Sequence, residues 1–411
     1  MFMTDTFGAP TQTLGPLARR APGPASLSAR VVEAVRDVLG RPDDMVMLHE
    51  PLFAGREWEY VKDCLDKGWV SSVGAYVDRF ERDLAAYTGI ANAIATSNGT
   101  AALHICLLVA GVEPRDEVLI PALTFIATAN AVSYVGATPH FVDSETLSLG
   151  VDAQKLDEYL QQAATLVNGV CTNRTTGARI TALMPMHVFG NPCDLDSLNA
   201  VAQRWHLALI EDAAESLGST YRGRHTGNVG CVSALSFNGN KVVTTGGGGA
   251  VLTNNGALAR RAKHLTTTAR VPHRWSFLHD EVGYNYRLPN INAALGCAQL
   301  ERLPAMLAQK RQLADRYATA FGSVAGIHVL RDPPHTRGNH WLNAILLDTA
   351  STAERDSVLL ALNEAKFMAR PVWTLLHRLT MYSSCPRMDL SVAESLDARI
   401  VNLPSSAKLG A

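Results

Sequence analysis

Lys241 occupies a position in the sequence that suits chemistry better than solvation. It lies between a polar turn, residues 236–240, and four consecutive glycines, residues 246–249. Only eight of the 37 basic residues are lysines, and a lysine among such small residues is not a typical surface charge. Burial favours the neutral amine, which can attack an aldehyde. From this segment alone two interpretations stay open: covalent attachment of an aldehyde cofactor such as pyridoxal phosphate (PLP), or a point charge at a phosphate-binding turn.

A second candidate segment, Ser-Asn-Gly-Thr at 97–100, lies between a predicted strand at 93–96 and a predicted helix at 101–109. Gly99 lets the backbone approach a ligand, and the start of the helix offers free N–H groups, including that of Thr100, to an anion. These residues therefore indicate a phosphate site. Taken alone, an ordinary turn with a helix N-cap explains them better.

An acidic pair, Glu211 and Asp212, ends a short apolar strand predicted at 207–210. Asp212 is suited to hold a pyridine nitrogen protonated through a charge-assisted hydrogen bond, which keeps the ring of PLP an effective electron sink. Glu215 follows within the same turn and can reach the same ligand. A solvated loop carboxylate, or a helix N-cap at Asp212, explains the pair equally well on its own.

Two weaker signals complete a set whose order is informative. Ser236, five residues before Lys241, offers a hydroxyl to a phosphate. Phe125, after a strand predicted at 117–120, offers a ring face to a pyridine, although core packing alone explains it better. A phosphate turn, an aromatic residue, a strand-end aspartate and then a lysine is the order expected of an aspartate-aminotransferase-like fold. Their joint occurrence favours PLP chemistry over the separate alternatives.

The elements that must position these residues alternate between strand and helix. Such alternation predicts an α/β fold with a mostly parallel sheet, in which ligands lie at the carboxyl ends of the strands. Three parts are predicted along the chain: a flexible N-terminal tail at 1–28, a large PLP-binding domain at 29–270, and a smaller C-terminal α+β domain at 271–411. The small domain is expected to begin with a long helix at 291–322.

Composition excludes several classes of function. The chain is 47% hydrophobic and 18% charged with a formal net charge of -1, which is typical of a soluble globular protein and not of a nucleic-acid binder. No apolar run approaches the roughly 18 residues that a membrane span requires. The seven cysteines are scattered without a CxxC pair, so neither a disulfide framework nor a metal site is predicted, and a cytoplasmic location is expected.

Several motifs resemble those of the DegT/StrS family of PLP-dependent nucleotide-sugar aminotransferases. The resemblance extends over about residues 48–407. It is carried most specifically by 211–218 and 236–249, and further by 68–74, 99–104, 121–130 and 283–287. It implies the aspartate-aminotransferase-like PLP fold, fold type I, and an enzyme that transfers amino groups.

Within the family, residues 271–275, 279–283 and 388–395 are most similar to the LegC-like branch. That branch implies amination of carbon 4 of a nucleotide-linked 4-keto-6-deoxy-N-acetylhexosamine, with L-glutamate as amino donor. UDP is the expected nucleotide, and the sequence leaves GDP and dTDP open as alternatives. The products would serve the synthesis of bacillosamine, legionaminic acid or related surface glycans such as lipopolysaccharide.

The resemblance also implies a role for each candidate residue. Lys241 would bind PLP covalently and later move a proton, and Asp212 would pair with the pyridine nitrogen. Glu215 would lie near the ring oxygen of the cofactor, and Phe125 would stack on its ring. The other implied cofactor contacts are Gly99, Thr100, Ser236 and Asn238, of which Thr100 and Ser236 would hold the phosphate.

Three further residues are carried over from the family. Asn285 is implied to reach the cofactor phosphate of the partner subunit, so that the active unit would be a homodimer. His187 and Arg370 are implied to line the sugar side of the site.

The chain departs from the family pattern at two places. Many relatives have glutamine at the position of Glu215, and a carboxylate beside the cofactor oxygen would repel it unless one of them is protonated. Many also have Gly-Glu-Gly-Gly where this chain has glycine at all four positions, 246–249. The all-glycine form also occurs in the LegC-like branch, so it does not indicate loss of function.

Two other functions remain as alternatives. A dehydratase of the same fold would remove a sugar hydroxyl, but relatives of that kind carry histidine at the position of Lys241. A non-catalytic PLP-binding regulatory protein is less well supported, because the sequence shows no basic arm or DNA-binding extension.

Overall fold

A computed structural model describes residues 26–411. Most of the predicted tail, 1–28, lies outside the described residues; its end, from Ser26, caps and begins the first helix. The helices are α1 Leu27–Leu39, α2 Glu57–Lys67, α3 Ala75–Thr88, α4 Gly99–Val109, α5 Ile126–Tyr134, α6 Ala153–Ala163, α7 Leu195–Arg204, α8 Gly256–Thr266, α9 Asn290–Phe321, α10 Thr352–Glu364 and α11 Ser391–Asp397. The strands are β1 Asn92–Thr96, β2 Glu117–Pro121, β3 Thr138–Val142, β4 Ala164–Val167, β5 Val170–Asn173, β6 Ile180–Leu183, β7 Ala208–Asp212, β8 Thr220–Tyr221, β9 Arg224–His225, β10 Val232–Ser236, β11 Gly249–Thr253, β12 Arg270–Val271, β13 Leu278–His279, β14 Ile327–Val329, β15 Thr336–Arg337, β16 Asn343–Leu347 and β17 Ile400–Leu403.

Seven strands form the central sheet in the order β1-β11-β10-β7-β6-β2-β3. Every neighbouring pair from β10 to β3 is parallel, and β11 alone runs against its neighbours. Strands β2 and β11 are buried along their whole length, as expected of strands covered on both faces. The predicted α/β fold with a mostly parallel sheet is confirmed.

The direction of the strands explains why distant residues meet. Strands β1, β2, β7 and β10 point the same way, so their carboxyl ends lie at one edge of the sheet. Each of these strands is followed by one of the candidate segments. Helix α4 begins at that edge and runs back across β10 and β11.

Helix α9 packs in two cores, a large one around the central sheet and a second one formed with the C-terminal half, residues 327–411. Its first part packs against α2 and α3 in the large core, around Ala293 and Cys297. Its last part buries Tyr317 and Phe321 against α1 and the C-terminal sheet. Pro304 lies between the two parts and interrupts the helical hydrogen bonds, because proline has no N–H to donate.

The C-terminal half is built on the antiparallel sheet β14-β16-β17, which α1, α9 and α10 cover. The chain then returns to the central sheet, where the Phe141 N–H donates to the carbonyl of Pro386 at 2.9 Å and the Met388 N–H donates to the carbonyl of Phe141 at 3.1 Å. The Asp143 carboxylate accepts the N–H of Ala393 at 2.8 Å. Our division of the chain into two domains stays a prediction.

Several elements differ from what the sequence predicted, among them a helix, a hairpin and a strand of the central sheet. The sequence predicts one helix over 153–167, but the helix ends at Ala163. Residues 164–167 instead form β4, which pairs with β5 across a turn at Asn168 and Gly169, both with positive φ. Helix α3 and strand β10 were not predicted. The short segment of β10 is ambiguous between strand and helix when it is judged by periodicity alone.

Two expectations from composition concerned membrane-spanning segments and the cysteines. Within residues 26–411, no helix combines the length and the apolar character that crossing a membrane requires. All seven cysteines are free thiols, and most of them are buried in the core. A reduced thiol packs there as a small apolar side chain.

Candidate active site

A cavity of about 270 Å³ opens at the edge of the sheet where the strands end. Residues between Asn98 and Lys241 supply most of its wall, and two tryptophans further along the chain, Trp341 and Trp373, supply the rest. Eight of the predicted site residues line it: Gly99, Thr100, Phe125, Asp212, Glu215, Ser236, Asn238 and Lys241. The fold therefore brings together residues from four separate segments of the sequence.

The start of α4 forms one end of this cavity. Asn98 caps the helix by accepting the N–H of Ala101 at its Oδ1, at 2.8 Å. The N–H groups of Gly99 and Thr100 lie in the first turn, where no preceding carbonyl is available to them. A Cβ atom at position 99 would lie 2.8 Å from the Cβ of Ser236, so glycine allows the Ser236 hydroxyl to approach the helix start. This end of the cavity suits an anion.

The glycine run at 246–249 is partly explained by the same close approach. A Cβ atom at Gly249 would lie 2.5 Å from the backbone oxygen of Asn98, which leaves no room for a side chain. At Gly247 the nearest atom outside its chain neighbours would be 3.9 Å away. Close packing therefore requires glycine at 249 but not at 247, the position where many relatives carry glutamate.

Asp212 ends β7 and is held by two donors. Its Oδ2 accepts the hydroxyl of Thr128 at 2.7 Å, and its Oδ1 accepts the N–H of Ala214 at 3.2 Å. The side chain is buried, and burial raises the pKa of Asp212 above its usual range. A buried carboxylate with one oxygen fixed by a hydroxyl is well placed to pair with a cationic ring nitrogen.

Lys241 and Glu215 form a close pair in the same cavity. Lys241 Nζ lies 3.1 Å from Glu215 Oε1, and Glu215 Oε2 accepts the N–H of Phe189 at 2.9 Å. Burial raises the pKa of Glu215 to about 7, although the charge of Lys241 acts in the opposite direction. The Lys241 ammonium also lies 3.7 Å from the centre of the Trp341 ring.

The mouth of the cavity is aromatic and polar. Phe125 precedes α5 and is 48% exposed, with its ring centre 6.2 Å from that of Trp373. Asn238 is exposed and donates from its side chain to Oδ1 of Asn240 at 3.0 Å. An open ring face at Phe125 leaves room for a second ring to stack on it.

His187, which was predicted to line the sugar side, is completely buried and does not line the cavity. Its Nδ1 accepts the N–H of Cys193 at 3.1 Å, so its Nε2 carries the proton and donates to Glu211 Oε2 at 3.1 Å. Glu211 in turn accepts three backbone N–H groups from residues 227–230. In this structure His187 supports the strand end that carries Asp212, and its contact with a sugar stays a prediction.

The other two carried-over residues also lie away from this cavity. Arg370 is exposed, and its backbone pairs with that of Asn402. Asn285 is exposed and its backbone bridges to Thr267. An exposed Asn285 that does not serve the cavity of its own chain is compatible with the predicted contact across a dimer interface, which stays a prediction.

Some lining residues were not predicted. Thr128 binds Asp212, and it lies in the same segment as Phe125, so the motif contained a signal for it. Trp341 and Trp373 come from the C-terminal half, which has no local motif linking it to Lys241. The remaining unpredicted lining residues are Asn98, Leu103, Ala127, Met186, Ala214 and Asn240.

The side chains present fit PLP. Lys241 offers an amine for its aldehyde, Asp212 a buried carboxylate for its ring nitrogen, and the start of α4 with Ser236 offers N–H and hydroxyl groups for its phosphate. The open face of Phe125 suits its ring. No group of this set opposes the cofactor except the Glu215 carboxyl, whose raised pKa reduces its charge near neutral pH.

Comparison with known proteins agrees with this site. A model of the DegT/DnrJ/EryC1/StrS aminotransferase family matches residues 53–411. GDP-perosamine synthase from Escherichia coli O157:H7 is 39% identical over 365 residues, which are 89% of this chain and 94% of that protein.

Solved structures of the family share the fold. A DegT/DnrJ/EryC1/StrS aminotransferase from Brucella abortus is 28% identical, with a TM-score of 0.78 over 86% of this chain and 90% of that chain. Spr1654 from Streptococcus pneumoniae, solved in a PMP form and a PLP form, is 25% identical; the PMP form has a TM-score of 0.80 over 89% of this chain and 93% of that chain. These matches confirm the predicted fold type and the PLP cofactor. The chain belongs to the DegT/DnrJ/EryC1/StrS aminotransferase family.

Proposed function

We propose that this enzyme transfers the amino group of L-glutamate to carbon 4 of a UDP-linked 4-keto-6-deoxy-N-acetylhexosamine. The product would be a 4-amino sugar for surface glycans, as implied by the LegC-like motifs. The observation that carries the proposal is the position of Lys241 Nζ, in one cavity with Asp212 and the anion-binding start of α4.

In this proposal PLP supplies an aldehyde that accepts and returns the amino group and a ring that withdraws electrons from the reacting carbon. Asp212, fixed by Thr128, keeps the ring nitrogen protonated. The free amine of Lys241 would take a proton from the α-carbon of the amino donor. In the second half of the reaction it would give a proton to carbon 4 of the sugar. Thr100, Ser236 and the α4 N–H groups hold the phosphate.

Glu215 is proposed to hold the amine of Lys241 in place between these steps. Its carboxyl is 3.1 Å from Nζ and can accept or lend a proton near pH 7. Phe125 is proposed to stack on the ring, and Asn238 to complete the cofactor contacts. We also propose a homodimer in which Asn285 reaches the partner's cofactor phosphate, with Arg370 and His187 on the sugar side.

A GDP-linked keto sugar is a second candidate substrate. It is favoured by the relative that is 39% identical over most of this chain, which is named GDP-perosamine synthase. Both candidates are keto sugars that the same amino transfer would convert, and they differ in the nucleotide and in the N-acetyl group specified for the first.

The test is a panel of UDP-linked and GDP-linked 4-keto-6-deoxy sugars, each incubated with glutamate, with the products identified by mass and NMR. We expect an amine at carbon 4 of the UDP-linked N-acetyl sugar and one 2-oxoglutarate for each amino sugar formed. Conversion of the GDP-linked sugars alone would select the second candidate. Loss of a hydroxyl without consumption of glutamate would support a dehydratase instead.

A Lys241→Ala variant tests the central role. We expect it to lose both the absorbance of covalently bound PLP and all turnover. Retention of either property would overturn the assignment of Lys241, and retention of both would overturn the proposed reaction.

A further inference from the structure

Trp341 contacts the Lys241 amine from the C-terminal half of the protein. The ammonium nitrogen lies 3.7 Å from the centre of the indole ring, well within the range of a cation–π interaction. Trp341 is 4% exposed and the Lys241 side chain 14% exposed, so water does little to weaken the attraction. The amine thus has two partners, a carboxyl on one side and a ring face on the other.

Trp341 is fixed by three hydrogen bonds, one at its ring and two at its backbone. Its Nε1–H donates to the backbone oxygen of Asn240 at 2.7 Å, next to Lys241 itself. Its N–H donates to Oδ1 of Asn339 at 2.8 Å, and its carbonyl accepts from Lys310 Nζ at 3.2 Å. The ring cannot turn away from the lysine without losing its bond to Asn240, and the two backbone bonds fix the position from which the side chain projects.

The same short segment also holds the other partner of Lys241. Asn339 donates from Nδ2 to the backbone oxygens of Glu215, at 2.7 Å, and Leu217, at 3.0 Å. Within residues 339–341, Asn339 therefore contacts the backbone of Glu215. Trp341 contacts the side chain of Lys241 and the backbone of Asn240, the residue before it. One segment thus contacts both the amine and the backbone of its carboxyl partner.

Lys310 anchors this segment with a buried amine. It is completely buried, donates to the carbonyls of Trp341 and Ser405, and makes no ion pair with a carboxylate among residues 26–411. Burial lowers the pKa of Lys310 to about 7, so a neutral amine can occupy the site at moderately alkaline pH. Its role here is to donate hydrogen bonds to two main-chain carbonyls.

We propose that Trp341 is a positioning residue whose indole face receives the ammonium of Lys241 whenever that amine is not bonded to the cofactor. The ring stabilises the charged amine beside Glu215 and keeps it aimed at the cavity. The inference rests on the proposed role of Lys241 as the cofactor-binding lysine and is independent of which sugar is the substrate.

The test follows the capture of added PLP by the apoprotein as a function of pH, read by absorbance. Capture requires the neutral amine, so a group that stabilises the ammonium moves the rise in rate to higher pH. We expect Trp341→Leu to shift the profile to lower pH by about half a unit to one unit, as loss of a cation–π contact of ordinary strength implies. Trp341→Phe keeps a ring and should shift it less.

Other titratable groups near the amine stay unchanged in these variants. They are Glu215 at 3.1 Å, and Asp212 and His49, which both interact electrostatically with Lys241, with Lys310 behind Trp341. Trp373→Leu is the matched control, because Trp373 lines the same cavity but packs on Phe125 and Phe189. In the control, the rate of PLP capture is expected to rise at the same pH as in the wild type.

A second measurement needs no cofactor: labelling of Lys241 in the apoprotein by an amine reagent across pH, read by peptide mass, should show the same shift. Equal loss of rate at every pH in Trp341→Leu would show a packing role only and overturn the proposal, as would an equal shift in Trp373→Leu. Failure of the wild-type apoprotein to capture PLP at Lys241 would instead refute the proposed function.

Discussion

The carboxyl of Glu215 lies 3.1 Å from Lys241 Nζ in a place that solvent does not reach. This pair explains how the chain tolerates glutamate where many relatives have glutamine. The carboxyl faces an amine, which favours its charge, while burial raises its pKa to about 7 and lets it become neutral beside an anionic group. The glutamate thus adds a titratable group to the amine's surroundings.

Glu215→Gln should change how stability depends on pH. The folded protein holds the Glu215 proton up to a pKa of about 7, whereas the unfolded chain releases it near 4.5, so the stability that this group contributes is present below 4.5 and lost as pH rises to 7. Relative to the wild type, the apoprotein variant should therefore gain up to about 1.4 kcal/mol per pH unit across that window. Urea unfolding at several pH values measures this, and parallel curves for the two proteins would contradict it.

Lys310→Met should also change how stability depends on pH, but with the opposite sign. The unfolded chain holds the Lys310 proton up to about 10.5 and the folded protein only up to about 7, so wild-type stability should rise with pH between these values. The wild type should gain up to about 1.4 kcal/mol per pH unit on the variant over this range. The exposed Lys62→Met is the control, and melting curves at pH 7 to 10 should show no such trend for it.

Thr128→Val removes the hydroxyl that Asp212 accepts at 2.7 Å while keeping the shape of the side chain. A hydrogen bond to a buried carboxylate contributes roughly 1.5–3 kcal/mol, so we expect kcat to fall on the order of tenfold or more. Thr128→Ser retains the hydroxyl and should retain most of the rate. Equal rates in both variants, with both folded by circular dichroism, would refute a role for this bond.

Gly249→Ala should abolish retention of PLP, because its methyl group would lie 2.5 Å from the backbone oxygen of Asn98 and displace the start of α4. The methyl group of Gly247→Ala, two residues away, would meet its nearest atom outside its neighbours at 3.9 Å, so this variant should bind PLP normally. Equilibrium dialysis against PLP compares the two variants directly. Normal binding by Gly249→Ala would show that the phosphate end of the cavity is not set by this approach.

Residues that follow the end of an apolar strand were the easiest to predict. Asp212 ends β7 and Lys241 follows β10, and the parallel sheet brings such strand ends together whatever lies between them in the sequence. The identity of β10 itself was missed, yet Lys241 was found because its setting of glycines and small polar residues is unusual by composition alone.

Positions that depend on packing across the two halves were not predictable in this way. Trp341 reaches Lys241 from a segment one hundred residues further along, and no periodicity or spacing relates the two. His187 follows an apolar strand, where a side chain can turn into the core or toward a ligand; it is buried against Glu211, and its contact with a sugar stays a prediction. Only the three-dimensional arrangement distinguishes these possibilities.

Pro304 removes a hydrogen bond from the longest helix, α9, and so makes it easier to bend at that residue. The α9 rod is fixed in the large core at one end and in the C-terminal core at the other, and a helix bends most easily where a hydrogen bond is missing. Trp341 packs in the large core and is bonded to Asn240 and, through Asn339, to Glu215, so it stays with Lys241. Flexing at residue 304 would therefore shift the C-terminal core while leaving the lysine and its indole together.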